Sequence, residues 1–242
     1  MPKILPFPST PWFTIKNQTE KSADIYIYDE ISPYLPDTSA KDVVAKLASL
    51  KDVATLNVHI NSPGGSVFDG MAIYNALARH AGEVIVYVDG LAASIASVIA
   101  MAGKRIIIAR NANLMIHLPS CITIGTAKDL RKTADTLDML ENSIAEVYKA
   151  RTKLSLETLK ALMSDETWYS AEDAVRTGFA DEVFEGVQAV AKFDLEAFGY
   201  AHAPKPEQPI SPAPTPENTS KVAPRILREK KVALLEKFIV KS

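Results

Sequence analysis

What most limits the folds open to this chain is an alternation. Between about residues 21 and 187, short β-branched and aliphatic runs take turns with segments of helical spacing. That is the pattern of βαβ units around a largely parallel sheet. The strand candidates are Asp24–Tyr28, Leu56–Ile60, Val84–Val88, Arg105–Ala109, Leu114–Leu118 and Phe179–Phe184. Several are apolar at successive positions, which suits strands covered on both faces. Helix starts between them are marked by a serine three residues before an aspartate: Ser39 and Asp42, Ser66 and Asp69, Ser170 and Asp173. Each is a form in which the serine caps the helix that follows. Gly178 is placed to close the last of these helices. The fold class is α/β.

Composition narrows the function classes. The chain has 242 residues, which fits one large domain or a domain with an appendage, and its 47% hydrophobic content supplies an ordinary core. With 27 Lys and Arg against 29 Asp and Glu, nothing in the global charge favours nucleic acid or an anionic membrane. Cys121 is the single cysteine, so neither an internal disulfide framework nor a cysteine metal cage can form. No metal or nucleotide motif is present, and no cofactor is expected. The start, MPKILPFPSTPWF, has prolines where a signal peptide needs an apolar stretch. The apolar run Leu91–Gly103 is too short to span a bilayer. These features lead to the expectation of a soluble, cytoplasmic protein.

The organisation divides unevenly. Residues 1–20 are Pro-rich and polar and read as a loosely held arm, followed by the α/β domain over 21–187 and an extension over 188–202. Seven of the 15 prolines fall between Pro204 and Pro224, so 203–224 reads as an extended, disordered linker. The tail 225–242 has the spacing of a basic amphipathic helix, with Leu227, Leu234, Leu235, Phe238 and Ile239 on one side. Within the domain, one long helix over about 127–151 carries Leu130, Leu137 and Ile144 at sevens, with Thr133, Leu140 and Val147 three residues after each. So narrow a seam suits packing on a partner helix, of the same domain or of another subunit.

Two stretches could carry chemistry. Asn61-Ser62-Pro63-Gly64-Gly65-Ser66 joins a strand to a helix through a turn whose backbone N–H groups no side chain covers. Gly90-Leu91-Ala92-Ala93-Ser94-Ile95-Ala96-Ser97 sets Ser94 in the first turn of a helix directly after a strand. This is the logic of a strand–turn–helix nucleophile without the G-x-S-x-G form. Ser94 as a simple helix cap is the plainer reading, and Ser97, one turn deeper, is a competing hydroxyl. Of the four histidines, His80 and His202 read as solvated and His59 as mid-strand, whereas His117 ends a strand, where α/β folds place reactive side chains. A carboxylate would complete the set, and Asp165-Glu166 before Trp168-Tyr169 stands out for its apolar setting.

Together, the stretches ADIYIYDEI, INSPGGSVFDGMAIYNAL, VDGLAASIASVIAMAG, NANLMIHLP and ETWYSAEDAVRTGFADEV resemble the proteolytic subunit of the Clp proteases, in the same order, over roughly residues 22–185. SPGGSVFDG, GLAASIASVIAMAG and the ETW stretch look most like the phage and prophage branch that processes capsid proteins during head maturation. The resemblance implies a ClpP/crotonase-like spiral of ββα units with a long protruding helix. It also implies a serine endopeptidase with a Ser-His-acid triad, and homo-oligomeric, seven-membered rings that stack around a chamber. Residue by residue, Ser94 matches the nucleophile and His117 the base, while Gly65 and Ile95 match the oxyanion-hole N–H positions. Counting back from Trp168 puts Glu166 where the family has an aspartate, with Asp165 adjacent as the alternative acid.

The implied partners are peptide or protein substrates. For the phage branch these are the scaffold or capsid precursor in a procapsid; for a housekeeping subunit an AAA+ unfoldase in the cytoplasm delivers them. A crotonase-like acyl-CoA enzyme shares the fold but needs no serine nucleophile. A signal-peptide peptidase with a Ser-Lys dyad is related, and a catalytically silent ring subunit is the non-enzyme reading.

Overall fold

The computed structural model describes residues 11–32, 39–185, 193 and 195–204. Burial alternates with a period of two along β2 (Ser22–Tyr28), the first part of β3 (Thr55–Ser62) and the first part of β4 (Glu83–Ala93). Ala23, Ile25 and Ile27, with Leu56, Val58 and Ile60, form one core with Val43 and Leu47 of α1 (Ala40–Ser49) and Ile73 and Leu77 of α2 (Val67–Ala78). The expected two-sided cover holds for β5 (Arg105–Ala109), whose last four residues are all buried. It fails for β2, β3 and the start of β4. Their other face is covered by its own side chains: the register sets Tyr26 beside His59 and His59 beside Tyr87, and the rings stack at 4.7 and 4.9 Å. On β2 and β4 the outer face carries Tyr26, Tyr28, Ile85 and Tyr87, which read as apolar in a sequence and mask the alternation, whereas Asn57 and His59 show it openly on β3.

The sheet runs β1-β2-β3-β4-β5-β8, with β6 (Asn113–Ile116) pairing β4 and β7 (Thr167–Tyr169) pairing β6. The strands from β2 to β5 are parallel, as is the pairing of β5 with β8 (Glu182–Phe184). β1 (Phe13–Lys16) is antiparallel to β2 and lies within the span expected to be a loose arm. Trp12 and Phe13 are buried, and the Trp12 indole N–H donates to the Ser32 carbonyl at 3.0 Å, so this end of the segment belongs to the domain. Residues 1–10 lie outside the described residues.

β4 is the pivot. Ile85–Val88 pair with β5, and Leu91–Ala93 pair with β6, so one strand supports two neighbours in succession. The strand was expected to stop at Val88; it continues through Gly90-Leu91-Ala92-Ala93 because Ser62 of β3 flanks Ala92 and β6 flanks its other edge.

The serine caps form as expected. The Ser39, Ser66 and Ser170 hydroxyls accept from the backbone N–H groups of Asp42, Asp69 and Asp173, and Gly178 closes α6 (Ala171–Thr177) at φ 87°. The long helix α4 (Ala127–Thr152) opens on a reciprocal cap between Thr126 and Asp129. Its second half buries Leu140, Ile144, Ala145, Tyr148 and Thr152 in its own domain, whereas Leu130 in the first half is 45% exposed. α5 (Leu156–Ser164) follows.

The chain divides into two units, 1–193 and 194–242. In the second, Leu195–Phe198 form a short 3₁₀ helix. The expected disordered linker and tail helix, from residue 205 onward, lie outside the described residues. Among the described residues no helix is long and apolar enough to cross a membrane.

Candidate active site

Two glycines shape one wall of the site. After β3 the chain turns through Pro63-Gly64-Gly65 into α2. The Ser62 hydroxyl ties the turn down, donating to the Asp29 carbonyl at 2.7 Å and accepting from the Gly64 N–H at 3.1 Å. Gly65 bridges Ile31 in parallel fashion: the Ile31 N–H donates to the Gly64 carbonyl and the Ser66 N–H to the Ile31 carbonyl, each at 2.8 Å. Such a pairing uses the groups on either side of Gly65, so the Gly65 N–H itself faces away from Ile31. The position is closed to other residues, since φ is +142° and a Cβ would lie 2.2 Å from the Ile31 carbonyl oxygen.

Ser94 lies where β4 hands over to α3 (Ile95–Ala100). It stands at the cap position, not inside the first turn, and its side chain makes no capping bond. Its backbone sits at φ 55°, ψ −129°, a conformation that a non-glycine residue holds only when its surroundings fix it. The Ser94 N–H contributes by donating to the Met115 carbonyl at 3.0 Å, extending the β4–β6 pairing. The hydroxyl is therefore turned away from the helix, and it meets His117 Nε2 at 2.7 Å.

His117 reaches that point because it immediately follows β6. Register accounts for the carboxylate as well: the antiparallel β6–β7 ladder ends on the pair Ile116–Thr167, and His117 and Glu166 are the residues immediately beyond it on the two strands. Glu166 is half-buried at φ 50°, and its carboxylate accepts from the Trp168 indole N–H at 3.1 Å. Asp165 is exposed and serves as the C-cap of α5. Burial lowers the His117 pKa below the ordinary imidazole value, and the Glu166 charge pulls the other way without overcoming it. The resting imidazole is thus neutral at neutral pH, the form that accepts a proton.

The remaining candidates are placed elsewhere. Ser97 is buried behind Ser94 and its hydroxyl donates to the Ser94 carbonyl at 2.6 Å. His59 is stacked in the sheet-face ladder, with Nδ1 3.0 Å from Asp89. His80, expected to be solvated, is half-buried and bonds the Val53 carbonyl through Nε2 at 2.9 Å. His202 is exposed in the second unit. The role of Trp168 as a clamp on the carboxylate was not read from the sequence; its signal was the spacing of two residues from Glu166. Among the described residues no group of three or more His, Cys, Asp or Glu could hold a metal ion.

A hydroxyl 2.7 Å from a neutral imidazole, a carboxylate whose charge acts on that imidazole, and a turn whose Gly65 N–H faces away from Ile31 form the equipment for acyl transfer. A family model for the Clp protease matches residues 9–187. The chain belongs to the Clp protease family, whose members are serine endopeptidases. Among related Clp proteins, it is 34% identical over 160 residues to the ATP-dependent Clp protease proteolytic subunit 3 of Streptomyces coelicolor, covering 64% of this chain and 73% of that one. It is 31% identical over 161 residues to proteolytic subunit 1 of Leifsonia xyli, covering 64% and 81%. The fold matches that of a ClpP1 mutant from Listeria monocytogenes, with a TM-score of 0.59 at 24% identity, over 69% of this chain and 92% of the other. The Clp family match begins at residue 9, so it takes in β1 as well.

Proposed function

We propose that this chain hydrolyses peptide bonds with Ser94 as nucleophile, His117 as general base and acid, and Glu166 as the carboxylate that orients the imidazole. The observation that carries the reading is the 2.7 Å contact between Ser94 Oγ and His117 Nε2, made by a serine in a constrained backbone. Ser94 Oγ attacks the peptide carbonyl as His117 Nε2 takes its proton. The Gly65 and Ile95 N–H groups receive the oxyanion, a contribution of roughly 10²–10³ in rate per donor. The imidazolium then gives the proton to the leaving amine, water enters by the same route, and the acyl-enzyme is hydrolysed. Glu166 is favoured over Asp165 because its charge reaches His117 and Asp165 faces solvent.

The setting follows from the resemblance. We infer a homo-oligomeric ring, seven-membered and stacked, in which the exposed first half of α4 meets a neighbouring ring. The substrate is scaffold or capsid precursor during phage head maturation, in the host cytoplasm or procapsid, with residues 203–242 as the tether. A housekeeping subunit fed by an AAA+ unfoldase is the alternative, and it is compatible with the relatives described as ATP-dependent.

Intact-mass labelling with a fluorophosphonate tests the chemistry. One adduct on the wild type, lost in Ser94→Ala, is the expected result; no adduct on the assembled wild type would favour a silent ring subunit. Deleting residues 203–242 should leave peptide cleavage intact and reduce incorporation into particles. Unchanged incorporation would defeat the tether.

A further inference from the structure

A buried hydroxyl pair lies directly behind the nucleophile, and the chemistry above makes no use of it. Ser97 is fully buried and Tyr148, on α4, is 1% exposed. The Ser97 Oγ stands 2.6 Å from the Ser94 carbonyl oxygen and 2.8 Å from the Tyr148 hydroxyl. Proton counting gives the direction of both bonds. A carbonyl oxygen only accepts, so the single Ser97 hydroxyl proton goes to Ser94, and Ser97 must accept from the Tyr148 O–H. Burial raises the Tyr148 pKa well above the ordinary phenol value, so that proton is always present. The Ser97 N–H donates to the same Ser94 carbonyl at 3.0 Å. The Tyr148 ring is held edge-on against Phe179, centroids 5.5 Å apart, which fixes where its hydroxyl points.

The Ser94 carbonyl is one side of a planar peptide whose other side is the Ile95 N–H. Fixing the C=O therefore fixes the direction of that N–H. Donors on the carbonyl also draw charge towards the oxygen and make the N–H a stronger donor in turn. Support of this kind matters at a residue held at φ 55°, which relaxes unless its surroundings prevent it.

We propose that Ser97 and Tyr148 are positioning residues for the oxyanion hole. The relay Tyr148 O–H to Ser97 O–H to Ser94 C=O holds and polarises the peptide that presents the Ile95 N–H. The inference rests on the peptidase reading, and it joins the long helix α4 to the backbone of the nucleophile.

A merely structural pair would change the melting temperature and leave the chemistry per folded site alone. The test uses the full chain, a fluorogenic peptide, and a peptide aldehyde that forms a tetrahedral adduct. Tyr148→Phe, which keeps the ring, should lower kcat about threefold at unchanged KM. Ser97→Ala should lower it about tenfold, short of the full effect of losing an oxyanion donor. Affinity for the aldehyde should fall by the same factors. The double variant should match Ser97→Ala alone because the relay is serial, and Ser97→Thr, which restores a hydroxyl, should recover most of the loss. Unchanged kcat in folded variants, or losses that multiply in the double variant, would overturn the relay while leaving the peptidase intact. Should Ser97→Ala not fold, Tyr148→Phe with the aldehyde carries the same decision. A wild type that fluorophosphonate does not label at Ser94 would overturn the peptidase reading and the relay together.

Discussion

Gly64→Ala is the sharpest perturbation of the site because the structure supplies its size. A Cβ at residue 64 would lie 2.7 Å from Ser94 Cβ and 2.8 Å from the Ala93 carbonyl oxygen, and ordinary contact begins at 3.4 Å. The two segments must therefore part by about 0.7 Å, the difference between 3.4 and 2.7 Å. Neither neighbour is the free end of a flexible side chain, so the movement falls on Ser94 and its backbone. Applied along the Ser94–His117 contact of 2.7 Å, that shift takes the pair out of strong hydrogen-bonding range. Misplacement approaching 1 Å costs on the order of 10²-fold in rate, so kcat/KM for peptide hydrolysis should fall about 100-fold. The left-handed φ of +98° adds about 1–2 kcal/mol of strain, which lowers Tm by about 2–4 °C per kcal/mol. Gly199→Ala is the matched control, with φ +76° and nothing within 4 Å of the added methyl; it should leave cleavage unchanged. A folded Gly64→Ala with wild-type kcat/KM and labelling rate would refute the claim that the glycine is needed for close approach to the nucleophile.

The pH profile follows from His117. Catalysis needs its neutral form, so the acid limb of kcat/KM should lie below the ordinary histidine value of 6.5. A depressed folded-state pKa also means that this residue's stabilising contribution is present above about 6.5 and is lost as pH falls through the folded value. Glu166→Gln removes the charge that raises the His117 pKa, so the limb should move further to acid while kcat drops by on the order of 10²–10⁴-fold. Asp165→Asn should change kcat less than twofold, as expected of an exposed surface site, and the opposite ranking in a steady-state profile would reassign the acid. Trp12→Ala should cost about 3–5 kcal/mol in denaturant unfolding, as for a buried indole; a loss under 1 kcal/mol would return β1 to the status of an arm.

What was legible in the sequence was local. A serine and the aspartate three residues later carry their capping geometry within one turn, so Ser39, Ser66 and Ser170 could be placed without knowing their neighbours. Ser94 and His117 were legible as candidates because each follows a strand, but their meeting depends on β4 being shared first by β5 and then by β6. Gly90-Leu91-Ala92-Ala93 has weak strand propensity, and only the flanking strands make it one. The choice between Glu166 and Asp165 was illegible for a related reason. The two are adjacent, and what separates them is the left-handed turn at Glu166 together with the β6–β7 register. Tyr148 lies still further from any local signal, 51 residues from Ser97 on a helix whose seam drew attention to its leucines. Nearness in sequence thus revealed the donors and acceptors, while the order in which strands share edges decided which of them act together. Testing the site therefore means perturbing the register and the relay as well as the reacting side chains.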